Sequence, residues 1–277
     1  MAQNLATKFS SKVSERLHSE SVVGSVTNKN FDWVGVDTIK IYSVDTMTMN
    51  DYSRGGDSRY GSPDEIGTTL QTWQLDQDRS FTGTIDALNS AQSQNVTKPG
   101  TVLARQLREE VVPEVNAYVL QTIVTAGELA SRDDIASDAA TDAANAWTNY
   151  LLIKANITDN LGKAKGNTAV MTASYYNFLK QGGFVLDSDK AYSDRKSGVL
   201  GMVDGDTVVI HTSAEMPTYT DLIITHKDVT TFADVLTDYV THKNPKGING
   251  HLVEGRIAYD AFVDTNKVNM IGIHKTQ

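Results

Sequence analysis

Six histidines, His18, His211, His226, His242, His251 and His274, are the residues from which proton transfer or metal binding would most readily be built. None has a partner four residues on and no HExxH occurs, so zinc-hydrolase chemistry lacks its ligands. They read as surface or strand residues. A serine nucleophile would need a GxSxG elbow, and a phosphate cradle would need GxxxxGK followed by Ser or Thr. The chain has neither. Gly55, Gly56 and Gly61 cluster without a following lysine, in a loop rather than between strand and helix. Asp187-Ser188-Asp189-Lys190-Ala191 opens like a calcium loop and fails at its fifth position, where Ala191 offers no oxygen. Asp133, Asp134, Asp138 and Asp142 suit the positive end of a helix, not an acid–base pair. The expectation is a protein that is not an enzyme and uses no metal and no cofactor.

Composition narrows the classes further. With 277 residues, 40% of them hydrophobic, the chain can bury a sizeable core in one large or two medium domains. It has no cysteine, which excludes disulfides, thiolate metal sites and cysteine nucleophiles. A net charge of −9 keeps it soluble and disfavours tight, sequence-independent DNA binding. No run approaches the ~20 apolar residues of a membrane span, and the N-terminus lacks the apolar core of a secretion signal. A cytosolic product is the expectation.

The element that must position everything else is Pro99–Leu129. Leu103, Leu107, Val111, Val115, Val119 and Ile123 recur every four residues and lay an apolar stripe along one α-helix. Arg105, Arg108, Glu109 and Glu110 lie between the stripe residues, facing water or a partner. Pro99 suits a first helical turn. Pro113 removes a backbone hydrogen bond, so a kink or break is expected near it. Unbroken, ~30 residues make a rod of about 45 Å, a spine on which other parts are mounted.

Before the spine, Leu5, Phe9, Val13 and Leu17 form a narrow apolar edge at helical spacing, which reads either as a frayed terminus or as an arm that orders on a neighbour. Thr38–Thr48 and Thr68–Leu75 read as two strands joined by Asn50–Asp64, a glycine- and charge-rich tip. This hairpin is too poor in apolar residues to form its own core, and a lone two-stranded ribbon is marginal in water. Another subunit is the economical support. After the spine, Ala136–Asn160 reads as a helix with Ala143, Ala146, Trp147, Tyr150 and Leu151 on one side. Thr168–Met171 reads as a buried strand, and Thr172–Gln181 as a helix capped by Thr172 and closed by Gly182-Gly183. Asp204-Gly205 signals a hairpin within Gly201–Thr212, and Leu222–Thr225 a strand. Val229–His242 is ambiguous between helix and strand. Asn244–Gly250 is a turn, with strands at Leu252–Val263 and Lys267–His274 around Thr265-Asn266. The fold class is α+β, with no regular βαβ repeat.

These residues carry a resemblance. Asp51–Gly61 (DYSRGGDSRYG), Asp78–Asp86 (DRSFTGTID), Arg105–Tyr118 (RQLREEVVPEVNAY) and Asn244–Val263 (NPKGINGHLVEGRIAYDAFV), ending in Asn266-Lys267, occur in an order and spacing that span most of the chain. The chain resembles the tailed-bacteriophage major capsid proteins, whose shell fold is shared with encapsulins and the herpesvirus capsid floor. The resemblance implies the phage major capsid fold, with an N-terminal arm at 1–30 and an extended hairpin loop at 31–81. It implies a peripheral domain with the spine at 82–130 and 235–264, and an axial domain at 131–234 and 265–277. It also implies that the region near Val235 is strand.

The resemblance further implies a structural subunit that assembles with itself, as hexamers and pentamers, into an icosahedral virion shell enclosing double-stranded DNA. The site residues are then intersubunit contacts. Arg54, Arg59 and Arg79 would pair with Asp51, Asp57, Asp64 and Glu65, and the arm would contribute Leu5, Phe9 and Val13. Exposed pairs are each worth only about 0–1 kcal/mol, so none is decisive alone. Some relatives weld subunits through a hairpin lysine. Ser43–Gln94 holds no lysine, so no such isopeptide link is expected. Asn116 stands where such proteins often carry Asp, a departure expected to be of small consequence. A separate scaffolding protein, a portal and a decoration protein are the further partners. DNA is enclosed without sequence-specific binding, assembly is in the bacterial host cytoplasm, and no membrane is involved. The rival readings are an encapsulin-like compartment, a phage tail-tube subunit, and an α+β enzyme with an unrecognised site.

Overall fold

The structure is a computed structural model, and it describes residues 20–31, 38–92, 98–131, 142–160, 165–182 and 201–276. Leu5, Phe9, Val13, Asp187–Ala191 and the acids Asp133, Asp134 and Asp138 lie outside the described residues.

The described residues open with a single turn α1 (Val23–Val26) and a short β1 (Thr27–Asn28). The ribbon β2 (Thr38–Val44) and β3 (Thr68–Gln74) follows, then β4 (Gln77–Asp86) and α2 (Ala87–Gln92). The spine comprises α3 (Pro99–Gln106), a π turn (Leu107–Val111) and α4 (Val112–Leu129). Beyond it lie α5 (Ala146–Asp159), β5 (Thr168–Thr172) and α6 (Ala173–Gln181). The remainder is β6 (Met202–Val203), β7 (Asp206–His211), β8 (Thr220–Thr225), β9 (Thr230–Lys243), β10 (Gly250–Val263), a 3-10 turn (Val268–Met270) and β11 (Gly272–Lys275).

Two sheets flank the spine. One has the order β1-β9-β10-β4, with the 14-residue β10 antiparallel to both β9 and β4. The other has the order β11-β8-β5-β7-β6. Its central strand, β5, is buried along its whole length, and alternation divides its side chains between two cores. Val170 joins Val119, Leu120, Ile123 and Val124 of α4. Ala169 and Met171 face the other way, onto Tyr150, Ile153 and Ile157 of α5 and Tyr175 and Leu179 of α6. The spine therefore holds both sheets. Its N-terminal half packs on β10, where Tyr118 meets Tyr259 edge-on at 5.6 Å, and Tyr118 donates to Asp260 at 2.7 Å. Gly127 lets its last turns approach β11, because a side chain there would run into Ile273.

Pro113 neither ends nor breaks the spine. It has no N–H for the Glu109 carbonyl, and its ring would press on that carbonyl. The helix widens just upstream instead, and Val112 donates to Leu107, five residues back. Other expectations need correction. Leu151 is exposed, since the buried stripe of α5 is Ala146, Asn149, Tyr150, Ile153, Lys154 and Ile157. Gln77–Asp86, within which Asp78–Asp86 is one of the resemblance motifs, is a full strand. Lys267–His274 is not one strand partnering β10. Val268–Met270 is a 3-10 turn, and β11 joins β8 in the other sheet. The ambiguous Val229–His242 is strand.

Buried polar groups tie the layers. Lys154 reaches Asp204 at 2.7 Å and Asp206 at 3.1 Å, and the fully buried Asp206 also accepts from Tyr150. His274 is buried between Asp221, 2.7 Å from Nδ1, and Asn149, 3.0 Å from Nε2. Asn116 is the larger correction. It is fully buried and pins the start of the described chain to the spine. Its Oδ1 accepts from the Val22 N–H at 3.1 Å, while Nδ2 donates to the Glu20 carbonyl at 3.1 Å and to Glu215 Oε2 at 3.0 Å. An aspartate would offer no donor to the last two. His211 Nε2 lies 3.0 Å from the same Glu215 oxygen, but off the line of a hydrogen bond. Burial pushes the His211 imidazole below the ordinary histidine range, against the pull of Glu215.

Two expected outcomes follow from this packing. Gly250 has φ 153°, and an added Cβ would run into the Ile85 carbonyl oxygen of the neighbouring strand. Gly250→Ala is expected to cost about 3 kcal/mol in urea unfolding, from backbone strain and overpacking together. For His211, the lowered folded pKa means that the unfolded chain takes the proton first. Its contribution to stability is therefore lost as pH falls below about 6.5. Thermal melts between pH 7.5 and 5.5 are expected to fall less steeply in His211→Gln than in the parent chain.

Candidate assembly surface

The ribbon β2–β3 pairs in register from Thr38 with Gln74 to Val44 with Thr68. Among the described residues, its base finds cover. Trp73 is buried, stacks on Phe262 of β10 at 5.3 Å and meets Phe31 edge-on at 5.3 Å, with Ile39 and Ile41 beside it. Gln71 fixes the same root, donating to Asp264 at 3.2 Å and accepting from the Thr265 N–H at 3.3 Å. Alternation then turns Tyr42 and Val44 away from the body. Tyr42 is 66% exposed, Met49 97% and Tyr60 84%, with Met47, Tyr52, Ile66 and Leu70 also exposed. Such a concentration of exposed apolar side chains on one projection marks an interaction surface.

The tip is built from turns. The Ser53 N–H donates to the Arg59 carbonyl at 3.0 Å, the Gly61 N–H donates to the Ser58 carbonyl at 3.2 Å, and Gly56 and Gly61 take positive φ. Arg59 Nε donates to the Gly56 carbonyl at 3.2 Å, which ties the arginine to its own loop. Asp51, Arg54, Asp57, Asp64 and Glu65 are exposed along the same projection. The fold thus places six of the ten expected contact residues on one hairpin.

Arg79 is placed differently. It lies on β4, and its Nε donates to Glu114 Oε1 of the spine at 2.6 Å, with both side chains well exposed. That hydrogen bond holds the guanidinium pKa above its ordinary value. Glu114 also accepts from Tyr259 at 3.3 Å, and burial, reinforced by this carboxylate, pushes the Tyr259 phenol up to about 12. Glu114 and Asn116 are structural residues that the spine's apolar periodicity does not single out. The sequence signals at these positions are the neighbouring Pro113 and the Asn116 that stands where the resembling proteins often carry Asp.

Among the described residues, no three His, Asp or Glu side chains gather as a metal site, and no helix is long and apolar enough to cross a membrane. The geometry offers instead an apolar, charge-fringed projection on a rigid root.

Neither a protein-family model nor a curated protein matches the sequence. Solved structures do. The chain is similar to one from Mycobacterium phage Che8 at 15% identity, with 98% of this chain and 96% of that chain covered and a TM-score of 0.76. A capsid structure of the cyanophage P-SCSP1u is 11% identical over 98% of this chain and 93% of that chain, with a TM-score of 0.75. A mature capsid of bacteriophage PhiM1 is 12% identical over 98% of this chain and 92% of that chain, with a TM-score of 0.70. At such identities the likeness is one of fold, and it takes in nearly the whole chain, hairpin included. The chain has the α+β fold of the phage capsid structures.

Proposed function

We propose that this chain is the major capsid protein of a tailed bacteriophage, a structural subunit rather than an enzyme. Copies of it assemble as hexamers and pentamers into an icosahedral shell around double-stranded DNA. The observation that carries this reading is the hairpin. Its exposed apolar side chains have no cover among the described residues, and the nearly complete likeness in fold to phage capsid structures supports the kind of partner: more copies of itself. Repetition then sums modest interfaces into a stable closed object.

In this reading residues 1–30 are the arm and 31–81 the extended hairpin. Residues 82–130 with 235–264 form the peripheral domain, and 131–234 with 265–277 the axial domain. The hairpin lies against a neighbour, where Asp51, Arg54, Asp57, Arg59, Asp64 and Glu65 meet complementary charges. Arg79 can contribute while keeping Glu114, since both remain exposed. A scaffolding protein, a portal and a decoration protein are its further partners. Assembly takes place in the host cytoplasm, and the product resides in the virion. The net charge of −9 suits a container whose wall must release its DNA.

Met49→Asp combined with Tyr60→Asp tests the reading. Both positions are exposed, so the subunit's melting temperature is expected to stay within about 2 °C of the parent chain. Closed particles seen by negative-stain microscopy are expected to fall at least tenfold in yield. Particles of normal yield and shape from the double variant would contradict the role given to the hairpin.

A further inference from the structure

Seven methionines carry all the sulfur in this chain, since it has no cysteine. With thiols absent, the thioether is the side chain that a peroxide oxidises, and exposure decides which thioethers react. The described methionines divide sharply. Met171 and Met216 are buried, and Met270 is half-buried against the core around the spine. Met202 is exposed on the two-residue β6, at the edge of the second sheet. Met49, at 97%, and Met47, at 67%, are the most exposed of the described methionines. Only Thr48 separates them, just past the end of β2. Both belong to the uncovered projection that also carries Tyr42, Val44, Ile66 and Leu70.

We propose that Met47 and Met49 are a modification site: a hydroperoxide converts them to sulfoxides in the free subunit, and the oxidised chain is shut out of assembly. The inference rests on the shell reading and adds chemical control to its hairpin surface. In the step itself, a sulfur lone pair takes an oxygen atom from hydrogen peroxide. The O–O bond breaks, an S–O bond forms and water leaves. The sulfur gives up two electrons and the peroxide gains them. A flexible apolar side chain, suited to filling an irregular apolar contact, becomes a polar and chiral one. Burying the new oxygen without a hydrogen-bond donor is unfavourable, and the thioether it replaces needed no donor. The position of the two residues keeps the effect local. Neither belongs to a buried cluster of the described residues, and neither touches the root at Trp73, Phe262 and Phe31. Oxidation there leaves the subunit's core intact and acts on association alone. Once a neighbouring copy covers the projection, both sulfurs are closed to the oxidant. The finished shell therefore resists the reagent that disables its free subunits.

The test needs no variant. Purified subunits are partly oxidised with hydrogen peroxide, quenched and brought to assembly. Particles are separated from leftover subunits, and peptides from both fractions are weighed for the added oxygen. Sulfoxide at Met47 and Met49 is expected to be depleted about tenfold or more in the particles, as the burial of an unsatisfied polar oxygen requires. Sulfoxide at Met202, which is exposed away from the hairpin, is expected in similar amounts in both fractions. Finished particles given the same dose are expected to oxidise at Met47 and Met49 about tenfold more slowly than free subunits do. A chain with Met47→Leu and Met49→Leu adds a second readout, each preparation being compared with its own untreated control. Its particle yield is expected not to depend on peroxide. Even partitioning of the Met47 and Met49 sulfoxides would overturn the inference. So would equal depletion at Met202, or equal oxidation rates in particles and subunits. The shell reading is judged separately, by the Met49→Asp, Tyr60→Asp chain. Failure of the untreated parent chain to form particles would overturn both.

Discussion

A two-stranded ribbon has two faces and, in this molecule, one short base on which to bury them. The rest of the architecture answers to that constraint. Trp73, stacked on Phe262 and braced by Phe31, uses the cover that the body provides. Beyond Ile41 the ribbon outruns the sheet it stands on, and Tyr42, Val44, Met47 and Met49 are left to solvent. Isolated ribbons of this length are marginal in water. A rigid root therefore matters, since it fixes where an uncovered surface is presented. Gln71 held by Asp264 and Thr265, with the Asp76 N–H donating to Asp260 at 2.9 Å, makes that root.

The spine lets one subunit hold two sheets in fixed relation. Val119, Leu120 and Ile123 have no exposure, and the helix contributes to the β10 side through Tyr118 and to the β11 side through Gly127. Pro113 sits in the middle of this element. A proline there costs a backbone bond, and the π turn is the form in which the helix absorbs that cost without ending. Glu114 and Asn116, in the turn that follows the proline, link β4, β10 and the N-terminal segment to the spine.

Much of this was legible from one periodicity and one turn signal. The four-residue repeat from Leu103 to Ile123 specified the spine, and Asp204-Gly205, with φ of 50° and 84°, specified its hairpin turn. The overall fold was legible through the order of four short motifs, none of which is informative alone. What escaped was of another kind. Gln77–Asp86 is mostly polar and pairs through its backbone with β10, so it carries no apolar alternation to betray it. Leu151 was placed inside because helical spacing cannot distinguish two neighbouring apolar stripes until the packing partner is known. The partner of β11 is set by a 3-10 turn that redirects the chain to the second sheet. Asn116 reads as an ordinary polar helix residue, and its burial depends on residues some 95 positions away on either side. Long-range polar satisfaction leaves no local signature.

The central claim is that the ribbon is uncovered in the single subunit and covered by further copies. Amide hydrogen exchange of Tyr42–Met49 and Ile66–Leu70, followed by mass spectrometry in isolated subunits and in assembled particles, measures that directly. The account predicts rapid exchange in the subunit beyond the Trp73 base and at least a hundredfold slowing in the particle, on the order of 3 kcal/mol of added protection. Equal and strong protection in both states would mean that the chain shelters its own ribbon, and would contradict the account.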